Sequence, residues 1–333
     1  MVFIGFKRRL TIEEEPAVRA IQVEQFGGPE VLTVREAADP RPGAGEVLVR
    51  IHAAGVNPVE TYIRAGQYAS LPDLPYTPGS DGAGEVQAVG TGVTGIEVGD
   101  RVWVQGTATY AELALAEPRR VHPLPEGVSY EAGAALGVPY VTAYRALFIA
   151  GRLVPGAYVL VHGGSGGVGI ATLQLAVMAG LRTVGTASTE AGRALVREQG
   201  AAAADHHAYE DLMAFTGGHG FDGIIEMAAH ESLGRVLPLA AAGGRVVVVG
   251  SRGTVEITPR DLMGREASLV GVMAGRTTTE ETARIARALY DGLKTGALHP
   301  HVGRRFSFED APAAHRAVME PGARGKIVRL PEA

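Results

Sequence analysis

Two rhythms of apolar and polar positions divide this 333-residue chain. From about Ala20 to Pro139, short stretches such as AIQVEQF (20–26), EVLVRIHA (46–53) and GAGEVQAVG (82–90) alternate or run apolar over strand lengths. Between them lie the turn-forming clusters GGPE, PRPGAGE, TPGSDGAG and EVGDRVW. This half is expected to form a β-rich, barrel-like domain.

From about Tyr140 to Met273 the rhythm changes. The apolar YVLVH leads through a run of glycines into GIATLQLAVMAG, which has helical periodicity. The strand RTVGTA follows, then the helix EAGRALVREQGA, closed by Gly200 at the position past its C-cap. Next come a weak strand near AAAAD, a helix over YEDLMAF, the strand FDGIIEM, a helix around SLGRVLPLAAA and the strand RVVVVG. Strands alternating with helices imply βαβ units and a doubly wound parallel sheet, and the unbroken runs VLV and VVVV suit its buried strands. The fold class expected is therefore α/β, a Rossmann-type sheet beside a β-barrel-like domain. After Met273 come a polar break (AGRTTTEE), the amphipathic helix TARIARALYDGLKTG, and HPHVGRRFSFED leading to a last helix and strand. The expected division is a tail at 1–18, a first domain at 19–139, a second at 140–275, and a segment at 276–333 that returns to the first.

Charge and composition narrow the function. A formal charge of −5 leaves no electrostatic footprint for nucleic acid. No apolar run approaches the roughly 18 residues that span a bilayer. The N-terminal apolar stretch stops at Lys7, Arg8 and Arg9 before a glutamate cluster, so a tail without a signal-peptide core is expected there. The chain has no cysteine. That excludes disulfides, iron–sulfur clusters, thiol catalysis and thiolate zinc sites, and suits the reducing cytoplasm, where the protein is expected to work. The close histidine pairs His206-His207 and His299-x-His301 lack carboxylate or thiolate company in sequence, and no metal is expected.

The glycine run VHGGSGGVG admits three readings. Gly164-x-Gly166-x-x-Gly169 fits the dinucleotide fingerprint between strand and helix. Its glycines make the turn, let the backbone approach a pyrophosphate and let helix pack on strand, and the helix N-terminus then offers free N–H groups to the phosphates. Gly163-x-Ser165-x-Gly167 also matches the nucleophile elbow of a serine hydrolase. That elbow normally lies mid-sheet, whereas this one opens the βαβ series, and nothing around His301 supports a triad. The third reading is a tight turn without ligand. The next strand ends in Ala187-Ser188-Thr189, with no acid at its tip to hold a ribose 2′-hydroxyl. A small uncharged tip leaves room for a 2′-phosphate and favours NADPH over NADH.

Several further motifs keep one order along the chain: GVNPVETYIRAGQY (55–68), LPYTPGSDGAGEVQAVG, VGDRVW, GVPYVTAYRAL, the glycine turn, and GGRVVVVGSRGTVEITPRD. Together they resemble the zeta-crystallin-like quinone oxidoreductases of the medium-chain dehydrogenase/reductase superfamily, from about Ala20 to Leu330. The resemblance implies a GroES-like catalytic domain, a Rossmann domain and a cleft between them. Zinc-dependent members of that superfamily carry Cys, His and Cys as catalytic ligands. Here Asn57, Ser80 and Val138 stand at those places and make no zinc ligand set.

The reaction implied is hydride transfer from NADPH to a quinone or a related electron-poor α,β-unsaturated carbonyl. Asn57, Tyr62 and Tyr68 are implied to line the substrate cleft, with Tyr62 also near the nicotinamide and Thr142 at its carboxamide side. Ser165, Gly166, Gly167, Val168 and Gly169 form the pyrophosphate turn, and Ser188 and His207 line the 2′-phosphate pocket. Cationic clamps seen in some relatives are expected to be missing, because Gly192 holds their place. Val249, Gly250 and Ser251 end a parallel strand at the ligand-binding edge, and Val272 and Met273 face the nicotinamide. A homodimer is also implied, with Ser268–Val272 extending the sheet across a twofold axis. Three alternatives stay open: an enoyl or enal reductase of the same fold, a serine hydrolase using Ser165, and a non-catalytic NADPH-binding protein.

Overall fold

The computed structural model describes residues 17–322 and 324–331. The tail expected over residues 1–18 lies outside them up to residue 16, while Ala17 and Val18 already belong to strand β1 (Ala17–Gln22). That strand pairs antiparallel with β2 (Thr33–Ala38). The ten-residue β3 (Val47–Val56) is buried along nearly its whole length, because it is flanked on both sides within its sheet. It ends at Asn57, the N-cap of α1 (Pro58–Arg64), whose Pro58 suits a first helical position. Next come β4 (Asp81–Val89), β5 (Arg101–Gln105), β6 (Leu113–Ala116) and β7 (Val121–Pro123), then α2 (Tyr130–Gly133) and α3 (Gly137–Tyr144).

The second half alternates strand and helix: β8 (Tyr158–His162), α4 (Gly167–Met178), β9 (Arg182–Ala187), α5 (Glu190–Glu198), β10 (Ala202–Asp205), α6 (Tyr209–Leu212), β11 (Phe221–Glu226), α7 (Ala229–Val236), β12 (Ala240–Val248), α8 (Pro259–Met263) and β13 (Ser268–Gly271). Two elements differ from the sequence pattern. The alanines Ala240–Ala242 were expected to extend a helix, but Pro238 cannot continue one, and they open β12 instead. The helix over YEDLMAF tightens after Leu212 into a 3₁₀ turn over Met213–Thr216.

All pairings within the second sheet are parallel, in the order β10-β9-β8-β11-β12-β13. This is the doubly wound order, with its switch point between β8 and β11, and ligands of such sheets bind beyond the carboxyl ends of the strands there. The chain then forms α9 (Thr279–Thr295), which sends Ile285, Leu289 and Leu293 into the core shared with α4. It ends in β14 (Val302–Ser307), α10 (Ala311–Ala317) and β15 (Lys326–Leu330). These two strands join the first sheet, giving the order β14-β15-β3-β4-β5-β7 with β6 also on β3. The first residue of β15 is thereby carried to the seam between the two sheets. Among the described residues no helix is long and apolar enough to cross a membrane.

Candidate active site

The glycine turn joins the two central features of the parallel sheet. Gly163 adopts φ 95°, a left-handed conformation that only glycine enters freely. Its N–H donates to Thr186 Oγ1 at 3.2 Å, and the Gly164 N–H donates to the Thr186 carbonyl at 2.7 Å, so the turn is moored to β9. A Cβ on Gly169 would lie 2.2 Å from the Gly163 carbonyl oxygen, so helix and turn pack this closely only with glycine there. α4 starts from Gly166 as N-cap, leaving first-turn amides of Gly167, Val168 and Gly169 without intrahelical acceptors. Free N–H groups at the positive end of a buried helix fit a pyrophosphate. Ser165 presents its carbonyl to the Gly325 N–H at 2.8 Å. Among the described residues no histidine is hydrogen-bonded to its hydroxyl. The imidazole nearest in sequence, His162, is wholly buried and faces Glu226 at 2.9 Å instead.

The tip of β9 differs from expectation in one respect. Ser188 is exposed beyond Ala187, and the exposed His207 donates its backbone N–H to Asp205 at 2.9 Å from the tip of β10. A cation is nevertheless present. Arg193, the neighbour of Gly192 on α5, curls back and places Nη1 3.3 Å from the Ala187 carbonyl and 2.6 Å from Asp205, with Nε on Glu190. The position after Gly192 thus carries a guanidinium, which is bonded here to Asp205, Glu190 and the Ala187 carbonyl. Gly192 itself packs under the turn, where a Cβ would meet the Ala187 side chain at 2.9 Å. Below this surface, His206 stacks on His162 with ring centroids 3.9 Å apart, and burial lowers its pKa to about 4.

The remaining cofactor candidates share the same edge. Val249 and Gly250 follow β12, with the Val249 N–H on the Glu226 carbonyl at 2.9 Å. A Cβ on Gly250 would crowd the Met227 carbonyl at 2.5 Å. Ser251 is exposed, its hydroxyl donating to Gly253. Val272 is half-buried beyond β13, and Met273 is 46 % exposed. Thr142 is buried on α3, which packs on α4.

The cleft side rests on a buried polar cluster that the sequence pattern did not disclose. Asn57 is 2 % exposed. Its amide donates to Glu60 Oε1 at 3.2 Å and to Asp81 Oδ2 at 2.9 Å, and its Oδ1 accepts from Lys326 Nζ at 2.5 Å. Both amide hydrogens are therefore committed within the protein. Lys326 Nζ also donates to Asp81 Oδ2 at 2.7 Å. Glu60 accepts from the Ser80 N–H at 2.8 Å and from the Tyr110 hydroxyl at 2.7 Å, and Asp81 Oδ1 accepts from the Val138 N–H at 2.7 Å. Burial, and then the neighbouring Asp81, raise the Glu60 pKa above the usual carboxylate range. Burial likewise pushes the Tyr110 hydroxyl well up.

Tyr62 on α1 and Tyr68 in the following loop are half-buried. Among the described residues neither hydroxyl has a hydrogen-bond partner. Glu60, Asp81 and Lys326 were missed in the sequence. Their only signal is charge placed inside or at the start of otherwise apolar strands and a short helix.

The donor set does not fit zinc. Ser80 and Val138 contribute backbone amides to carboxylates, Asn57 is saturated, and among the described residues no group of three His, Cys, Asp or Glu could hold a metal.

This architecture defines an oxidoreductase of the medium-chain dehydrogenase/reductase superfamily. The family models of the alcohol dehydrogenase GroES-like domain and of zinc-binding dehydrogenases match residues 43–126 and 167–289, respectively. Human quinone oxidoreductase is 46 % identical over 321 residues, covering 94 % of this chain and 98 % of its own. A Pseudomonas aeruginosa quinone oxidoreductase is 32 % identical, covering 94 % and 99 %. A mycobacterial structure described as complexed with NADPH superposes with a TM-score of 0.86 at 31 % identity, covering 94 % of this chain and 100 % of that one. The chain belongs to the quinone oxidoreductase family.

Proposed function

We propose that this chain reduces quinones with NADPH by direct hydride transfer, without a metal. The observation that carries this reading is the seam itself. A dinucleotide turn lies beside a cleft whose metal-ligand positions are taken up by Asn57, Ser80 and Val138, all bonded to a carboxylate–ammonium cluster. When bound, NADPH supplies the hydride. The protein binds, orients and neutralises.

The α4 N-terminus and the amides of Gly166, Gly167, Val168 and Gly169 hold the pyrophosphate. Ser188, Arg193 and His207 surround the 2′-phosphate, with Arg193 drawn from Asp205 towards it. Val249, Gly250, Ser251, Val272, Met273 and Thr142 line the path of the nicotinamide half. Because Asn57 has no free amide hydrogen, the donors to a quinone oxygen are the unpartnered hydroxyls of Tyr62 and Tyr68, and Asn57 forms the wall that sets their helix and loop. The edge strand β13, with Leu269 38 % exposed, is proposed to pair with a second copy.

Oxidation of NADPH and of NADH is measured against 1,2-quinones, 1,4-quinones and 2-enals. We expect turnover with quinones and a preference for NADPH. Turnover with 2-enals alone would assign the chain to enal reduction, and tight NADPH binding without any turnover would make it a binding protein. Neither of those outcomes fits the proposal.

A further inference from the structure

The three positions that the resemblance sets against the metal ligands of zinc-dependent relatives share one feature. Each is bonded to the same buried cluster: the Asn57 side chain to Glu60, Asp81 and Lys326, the Ser80 N–H to Glu60, and the Val138 N–H to Asp81. We propose that the Lys326–Asp81–Glu60 cluster takes over the metal's organising role, with Lys326 as a positioning residue that couples the cofactor turn to the substrate cleft. This rests on the quinone reductase reading above.

The coupling follows from one dipeptide. Gly325 forms an isolated parallel bridge with Gly166 and donates its N–H to the Ser165 carbonyl at 2.8 Å. The next residue sends its side chain past the turn, where a Cβ on Gly167 would lie 3.7 Å from Lys326 Cδ. The stem then enters a slot in which a Cβ on Gly55 would lie 2.6 Å from Cε. Nζ ends on Asn57 and Asp81, and the side chain is 4 % exposed. A shift of the glycine turn on binding a dinucleotide is thus carried by a single residue to the Asn57 wall and the start of α1, which bears Tyr62. The absence of a side chain at Gly55 is what leaves space for the lysine stem.

Removing one member alone leaves a buried uncompensated charge, so stability and positioning must be separated. The test compares the wild type with Lys326→Met, Asp81→Asn, the double variant Asp81→Asn/Lys326→Met, and Asn57→Ala. Readouts are Tm, the NADPH dissociation constant by fluorescence titration, and kcat and KM for a 1,4-quinone. The double variant is expected to recover most of the Tm lost in the singles. It should keep NADPH affinity within about threefold while quinone kcat stays down about 100-fold, the scale of a misplaced reacting group. Asn57→Ala, which leaves the ion pair in place, is expected to show the same loss in kcat.

A double variant with both Tm and quinone kcat restored to within about threefold of wild type would overturn the proposal. So would an Asn57→Ala variant with unaltered kcat, which decides the matter even if the double variant does not fold. Failure of the wild type to reduce any quinone would refute the functional reading instead. That result is distinct, because it appears before any substitution is made.

Discussion

The two faces of the seam are built on opposite principles. The cofactor edge is made of backbone and of missing side chains. Gly163 supplies a left-handed turn, Gly169 leaves 2.2 Å where a Cβ would sit, and Gly192 clears the floor beneath Ala187. The cleft is held by charged and polar side chains, with Asn57, Asp81 and Lys326 joined across sequence separations of 24, 245 and 269 residues and Glu60 bonded to Asn57. The first surface has no space for a side chain at Gly169 or Gly250, and the second holds an ion pair with almost no exposure. A site for a large anion needs open amides, whereas a substrate wall without a metal needs internal bonds to hold its shape.

The sharpest way to break this contrast is to remove one charge from the cleft. Lys326→Met strands Asp81, which is 0 % exposed, and we expect a loss of about 3–5 kcal/mol in denaturant melts. A loss below about 1 kcal/mol would mean that the pair is hydrated and that the cleft is not a closed cluster. On the other face, Gly169→Ala adds one methyl against the Gly163 carbonyl. It is expected to cost about 1–3 kcal/mol and to weaken NADPH binding in the same titration.

Arg193→Ala is a gentler change. It is expected to raise KM for NADPH about tenfold, as for a lost charge-assisted hydrogen bond, with KM for NADH unchanged. Equal effects on both coenzymes would show that Arg193 serves only Asp205 and Glu190.

The smallest effect is a pH dependence in the β-rich domain. His122 is buried against Trp103 at 4.3 Å, and burial lowers its pKa from 6.5 to about 4. The unfolded chain takes up a proton below 6.5 that the folded chain refuses. The stability contributed by the neutral ring is therefore complete above 6.5 and is lost as pH falls towards about 4. His122→Phe keeps the packing without the titrating group, so its Tm should fall less than that of the wild type between pH 7 and pH 4. Parallel curves would place the acid sensitivity elsewhere, for instance at His315, lowered by burial to about 3.

How far the molecule can be read from sequence follows the same division. The parallel strands Tyr158–His162 and Arg182–Ala187, the glycine turn and the closing Gly200 are contiguous signals, each with a local physical cause. The alanine run at 240–242 misleads because its helical propensity is overridden by Pro238 and by its place beside β11. The placement of Arg193 has no sequence signal, since only the folded side chain on α5 brings its guanidinium to the Ala187 carbonyl. Glu60, Asp81 and Lys326 meet only once β15 crosses back to β3, a pairing that no local pattern encodes. Asn57 was picked out through the resemblance, but its bonds to Glu60, Asp81 and Lys326 had no signal in the sequence.

The most direct test of the account is quinone-dependent NADPH oxidation by protein dialysed exhaustively against a metal chelator. The account predicts one hydroquinone formed per NADPH consumed, NADPH favoured over NADH, and a rate equal to that of untreated protein. A rate abolished by the chelator and restored by added zinc would contradict it.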